Sequence, residues 1–152
     1  MHGDEQAFAR DLHGPTGQEI AVTLDVLEDV RPKALALVAA ASAEQLDRDD
    51  PSRVLPPWAS WRTARALVWH LADTESRYYL PSLALPSRAR SPDLYAELRL
   101  SAEHVRNVVE HLPTEPLVRH EGGEVWTSVK LLRRLAWHER SELRVLEALL
   151  SR

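Results

Sequence analysis

Leu131-Leu132-Arg133-Arg134-Leu135-Ala136-Trp137-His138-Glu139-Arg140-Ser141-Glu142-Leu143-Arg144-Val145-Leu146-Glu147-Ala148-Leu149-Leu150 decides the fold. Leu131, Leu135, His138, Glu142, Val145, Leu146 and Leu149 recur with a 3.6-residue period, the mark of a helix with one face turned to a core. Only His138 and Glu142 interrupt that apolar face, and they lie one turn apart on it. Just upstream, Thr127 is suited to cap the helix, since its hydroxyl can accept from a first-turn amide. Before it, Val118-Arg119-His120 and Glu124-Val125-Trp126 flank Glu121-Gly122-Gly123, the pattern of a small β-hairpin with a glycine turn.

Three further helical segments precede this one. The first is expected from about Leu24 to Gln45, with Leu27, Val30, Ala34, Leu37, Val38 and Ala41 inward. Pro32 interrupts the pattern and either kinks the helix or marks its start near Arg31. Asp47 to Pro57 reads as loop. The second helix is expected from Ser60 or Trp61 to about Leu80, with the stripe Leu67, His70, Leu71, Thr74 and Tyr78. The third starts at Ser91-Pro92, a cap residue followed by proline in the first turn, and runs to about Leu112. Residues 1–22 are weakly patterned; Asp4 suits the cap of a short helix ending near Leu12, with His13-Gly14-Pro15 as breaker. The expectation is one all-α domain over residues 1–152, a four-helix bundle with a small hairpin before its last helix.

Composition narrows the chemistry. The 152 residues include no cysteine, so disulfides, thiolate metal sites and a cysteine nucleophile are excluded. Any metal must be held by imidazole nitrogen and carboxylate oxygen, a donor set open to zinc, nickel, iron, manganese or copper. A net charge of −4 speaks against a nucleic-acid partner, which calls for a basic surface. No run of 18 apolar residues is present to span a membrane. The polar first ten residues lack the apolar stretch of a secretory signal, which makes the cytoplasm the expected location. A serine-nucleophile turn, a phosphate loop and a dinucleotide fingerprint are all missing.

Leu-x-Trp-His occurs twice, as Leu67-Val68-Trp69-His70 and Leu135-Ala136-Trp137-His138. Each copy puts a histidine on a leucine face. A buried imidazole without a partner costs about 1–3 kcal/mol, so two such helices packed together would bring both rings to one point. His70, His138 and Glu142 then form a candidate metal set, with a metal-free buried polar cluster as the plainer alternative.

The stretches Trp61 to Glu75, centred on His70, and Trp126 to Arg144, centred on His138 and Glu142, resemble the second and fourth helices of the DinB-like metal-dependent bundle proteins. The likeness runs from about residue 22 to 150, and its specific part lies in these two helices. It implies a four-helix bundle that holds one divalent ion through a histidine of the second helix and a His-x-x-x-His pair of the fourth. His70 and His138 match two of those positions; Glu142 stands where the third histidine is usual. The resemblance also implies a homodimer and a small-molecule substrate. Some relatives are transferases or isomerases that use a low-molecular-weight thiol such as bacillithiol or mycothiol, and others are described as hydrolases.

Around the candidate ligands, Thr74 and Tyr78 share the His70 stripe and are expected to line a pocket, with Arg134, one turn before His138, as a residue for an anionic substrate. For each, a packing or surface role is the alternative. Glu139 and Asp73 are read as solvent-side residues, Trp69 and Trp137 as packing between helices, and His104 and His111 as surface. Two functions follow: a metal-dependent hydrolase or thiol transferase, or a non-catalytic bundle, for binding or stress response, that has lost its metal with the exchange of histidine for Glu142.

Overall fold

The computed structural model describes residues 6–57 and 59–151, so the expected cap at Asp4 lies outside the described residues. It is mostly helical with one two-stranded antiparallel sheet. A 3-10 turn, Ala9–Leu12, leads to α1, Gly17–Ala40. Thr16 opens α1 seven residues earlier than apolar periodicity suggests, because its hydroxyl accepts from the Glu19 amide at 3.1 Å and Glu19 reaches back to the Thr16 amide at 2.8 Å. Pro32 neither starts nor ends α1, which runs through it. Its ring deprives the Glu28 carbonyl of an amide partner, a local cost that packing of the same turn offsets. Ser42 then caps a separate short helix, α2 (Ala43–Asp47), so the expected single helix to Gln45 is two.

The second long segment starts later than expected. Thr63 caps α3 (Ala64–Thr74) through a 3.1 Å bond from the Ala66 amide, leaving Trp61 in the preceding loop. The chain then takes one π-helical turn, Glu75–Tyr79, in which the Leu80 amide bonds the Glu75 carbonyl five residues back, before α4 (Leu80–Ser82). Such a turn adds one residue and rotates everything after it by about 100° relative to an uninterrupted helix. Asp93, not Ser91, caps α5 (Leu94–Glu110), accepting from the Ala96 amide at 2.7 Å.

The hairpin forms as its sequence suggests. Strands β1 (Val118–Glu121) and β2 (Glu124–Thr127) pair with Glu121 opposite Glu124, and Gly122 and Gly123 take φ of 57° and 80°. Two successive left-handed residues are the requirement of the two-residue turn that matches strand twist, and glycine meets it without steric cost. Thr127 ends β2 and caps α6 (Ser128–Leu150), accepting from the Lys130 amide at 3.0 Å.

Helix α1 packs on α5 and α6, and α3 packs on the same two. Their apolar faces meet in two clusters. One joins Val30, Ala34, Leu67, Leu71, Leu98 and Leu146; the other, at the hairpin end, joins Tyr79, Leu80, Val105, Trp126, Leu131 and Leu135. Each fully buried leucine or valine contributes roughly 1.5–3 kcal/mol. No helix among the described residues is long and apolar enough to cross a membrane.

Glu97 of α5 clamps the segment between the π turn and α5. Its buried carboxylate accepts from Arg77, from Arg88 Nη1 at 2.7 Å and from the Ser91 amide at 2.7 Å. Burial pushes its pKa up, but these hydrogen bonds outweigh burial and hold it below 4.5. A carboxyl with a depressed folded pKa stabilises above its unfolded value, and that stability disappears as pH falls through the folded value. Glu97→Gln should therefore lower the urea midpoint at pH 7, with the gap from the parent protein closing as pH falls below the ordinary carboxyl range and through the depressed folded value. A gap that stays constant with pH would contradict this role for the charge.

Candidate metal centre

His70 comes from α3, and His138 and Glu142 come from successive turns of α6, which packs against it. The two helices bring three donor atoms together. His70 Nε2 lies 3.4 Å from His138 Nε2, and Glu142 Oε1 lies 4.0 Å and 3.9 Å from the two nitrogens. The circle through these atoms has a radius of roughly 2.2 Å, close to the bond lengths of first-row divalent ions to imidazole and carboxylate. The group can hold a metal ion.

The outer nitrogens show why the inner ones converge. His138 Nδ1 lies 3.1 Å from Glu75 Oε1, a carboxylate that accepts the Nδ1 proton and leaves Nε2 as a lone pair. His70 Nδ1 lies 3.2 Å from the Thr74 hydroxyl, which can take the same part on the other helix. Burial pushes His70 down to about 3, helped by the charges of His138 and Arg53. Burial likewise takes His138 down to about 4, against the pull of Glu142 and Glu139. Both rings are therefore neutral near pH 7, the form that binds a metal. Glu142 Oε2 is buried without a hydrogen-bond partner among the described residues, as expected of a carboxylate whose partner is a cation.

A buried ionic cluster supports the histidines from behind. Arg31 of α1, only 3% exposed, donates to Glu75 Oε2 at 2.8 Å, to Glu139, to the Leu98 carbonyl at 2.8 Å and to Ser101 Oγ at 2.9 Å. One guanidinium thus ties α1 to α5, α6 and the π turn. Burial pushes Glu75 and Glu139 both up to about 7, with Arg31 opposing the rise, so the pair carries less than two full negative charges near neutral pH. On the other side, the Trp61 indole stacks on His70 with ring centroids 3.6 Å apart and planes within 9°. Trp61 thereby covers one face of the imidazole.

The expected pocket residues spread apart. Thr74 stays beside His70. The π turn rotates Tyr78 outward, where it is 40% exposed and its hydroxyl donates to Glu124 of the hairpin at 2.9 Å; Tyr79 takes the inner position and packs edge-on to His138. Arg134 is buried, donates to the Tyr79 hydroxyl at 3.1 Å and lies over the Trp137 ring. Glu139, expected on the solvent side, is buried on Arg31: its position four residues after Leu135 continues the core-facing line. Trp137, expected between helices, is 48% exposed, while Trp69 packs against the core with Arg90 over its ring. Asp73 pairs with Arg77 at the surface, as read from the sequence.

Arg31, Glu75 and Trp61 were not legible as site residues. A signal existed for two of them: Arg31 and Glu75 each follow a core leucine by four residues, Leu27 and Leu71, placing charge where a helix face turns inward. A cavity of about 300 Å³ between α1 and α5, lined by Leu27, Pro32, Leu35 and Val105, reaches Arg31 and Glu139; none of the three candidate ligands lines it. No family model, curated protein or solved structure matches the chain, so the chemistry of the site is read from its own residues.

Proposed function

We propose that the chain is a metal-dependent enzyme on a DinB-like four-helix bundle, acting on a small molecule by hydrolysis or thiol transfer. The observation that carries this reading is the convergence of two imidazole Nε2 atoms and a carboxylate oxygen within 3.4–4.0 Å, on two packed helices. A divalent cation between these atoms is attracted by all three of them.

His70, His138 and Glu142 would hold the ion and leave the rest of its coordination shell to ligands from solvent or substrate. A bound divalent ion supplies Lewis-acid chemistry, lowering the pKa of a water or thiol towards neutrality and so providing a nucleophile. Glu75 can hold the His138 ring proton on Nδ1, the Thr74 hydroxyl can accept from His70 Nδ1, Arg31 fixes Glu75, and Trp61 covers one face of His70. The replacement of an imidazole by Glu142 lowers the charge of the site by one unit and favours harder ions than three histidines would.

Glu142→His tests the assignment through selectivity. The parent protein should bind one divalent ion per chain, and the variant should bind zinc and nickel more tightly, by on the order of tenfold, and manganese more weakly. Competition titrations with a chromophoric chelator measure both. If neither protein binds any of these ions, the helix pair holds a structural His–Glu cluster and the non-catalytic binding reading replaces this one.

A further inference from the structure

Helices α1 and α6 lie side by side and run in the same direction. Leu27 clusters with Leu131 and Leu135 at the hairpin end, Arg31 meets Glu139 near the middle, and Val38 clusters with Leu149 at the far end. Their outer edges border an open cleft of about 290 Å³, lined by Val22, Asp25 and Asp29 from α1 and by Arg140 from α6. The three charged residues are exposed. Asp29 pairs with Lys33 at 2.8 Å, but neither Asp25 nor Arg140 makes an ion pair or a side-chain hydrogen bond among the described residues, although both border the same cleft. Two large apolar side chains stand on this surface, Val22 and Trp137, the latter three residues before Arg140 on α6; each is close to half exposed. Phe8, exposed to a similar degree, extends the patch: its ring centroid lies 4.9 Å from the guanidinium of Arg133, one turn before Trp137.

The surface is acidic along α1 and basic along α6. Asp25 and Asp29 are four residues apart, as are Arg140 and exposed Arg144, and like charges one helical turn apart repel. Each stripe is relieved by the opposite charge, and each has the right partner on the neighbouring helix of a second copy. Turning a copy by 180° about an axis along the cleft lays its α6 over α1 of the first, and its α1 over α6. Because the two helices run in the same direction, this rotation keeps residues at their heights, so Asp25 and Arg140, level with each other at the cleft, meet across the axis. A two-fold contact of this kind makes every pairing twice. It also removes Val22 and Trp137 from water, the gain that an exposed apolar patch with tryptophan and arginine offers to an interface. We propose that the α1–α6 face joins two copies of this chain into a two-fold dimer, with Asp25 of each copy paired to Arg140 of the other and Trp137 buried in the contact. Nothing in this assignment depends on the metal reading.

Sedimentation velocity over a concentration series from micromolar to millimolar tests this. The parent protein should be a dimer in the micromolar range. Asp25→Arg and Arg140→Asp should each raise the dimer Kd by about tenfold or more, since either variant paired with itself makes two like-charge contacts. An equimolar mixture of the two variants should recover the parent affinity. In the mixed dimer one contact joins the two altered side chains and the other joins the two native ones, and both again unite opposite charges. Trp137→Lys should weaken the dimer by a separate route, through lost apolar area and an added charge. All three side chains are exposed, and circular dichroism verifies that the helices are retained. The proposal is overturned if the parent protein is a monomer throughout the series, if the charge reversals leave Kd unchanged, or if the mixture does not recover what the single variants lose.

Discussion

Arg31→Ala should destabilise the fold by roughly 3–5 kcal/mol, the largest loss expected from any single change in the described residues. Arg31 ties its own α1 to three other elements, making hydrogen bonds to Glu75, Glu139, Leu98 and Ser101. Its removal leaves two buried carboxyls facing each other and a main-chain carbonyl without its donor. Burial already pushes both carboxyls up to about 7 in the presence of Arg31. Without the guanidinium they must both take up protons or admit water. Neutralising the partners as well, in Arg31→Met/Glu75→Gln/Glu139→Gln, should cost less than Arg31→Ala alone, because no uncompensated charge is then left inside. Urea unfolding of the two variants compares them directly. A loss below about 1 kcal/mol for Arg31→Ala would mean that water reaches the cluster and that Arg31 does not hold the four elements together.

His70→Ala should abolish high-affinity metal binding while leaving the helices in place. His70 is 21% exposed at its side chain, so its truncation opens space towards the loop rather than a sealed cavity in the core. Two ligands on a single helix turn then remain. Zinc affinity should fall by well over 100-fold, beyond the roughly 10–100-fold expected when an outer hydrogen-bond partner of a ligand is lost. Glu75→Gln provides that comparison. Its amide can donate to His138 Nδ1, which moves the ring proton to Nε2 and blocks the lone pair needed by the metal. Calorimetric titration with zinc gives both affinities, and circular dichroism checks that helicity is retained. A His70→Ala protein with unchanged zinc affinity would place the metal elsewhere.

Helix existence and the juxtaposition of His138 and Glu142 were readable from the chain because they depend on local periodicity. The stripe of α6 carries its two polar interruptions one turn apart, and Thr127 and Gly122-Gly123 mark the helix start and the turn before it. The π turn was not readable. It leaves the apolar pattern of Leu67 and Leu71 intact and changes phase only beyond Thr74, so Tyr78, placed inward by periodicity, turns outward and Tyr79 replaces it. The start of α1 was missed for a different reason: the Thr16–Glu19 capping box lies in front of the first strongly apolar stretch, and local hydrogen bonding sets the boundary there. Glu139 was misread because its charge was taken as a sign of solvent. Glu139 and Glu75 are tolerated inside only through Arg31, which lies over forty residues from either in the chain. Trp61 reaches the site through a loop fold that no residue period encodes.

Crystals of the zinc-loaded protein, with diffraction data collected on both sides of the zinc absorption edge, test whether His70, His138 and Glu142 hold one divalent ion. One strong anomalous peak per chain is expected, in contact with His70 Nε2, His138 Nε2 and a Glu142 carboxylate oxygen. Zinc-loaded crystals with no peak between these three side chains, or with the ion bound only by surface residues, would contradict it.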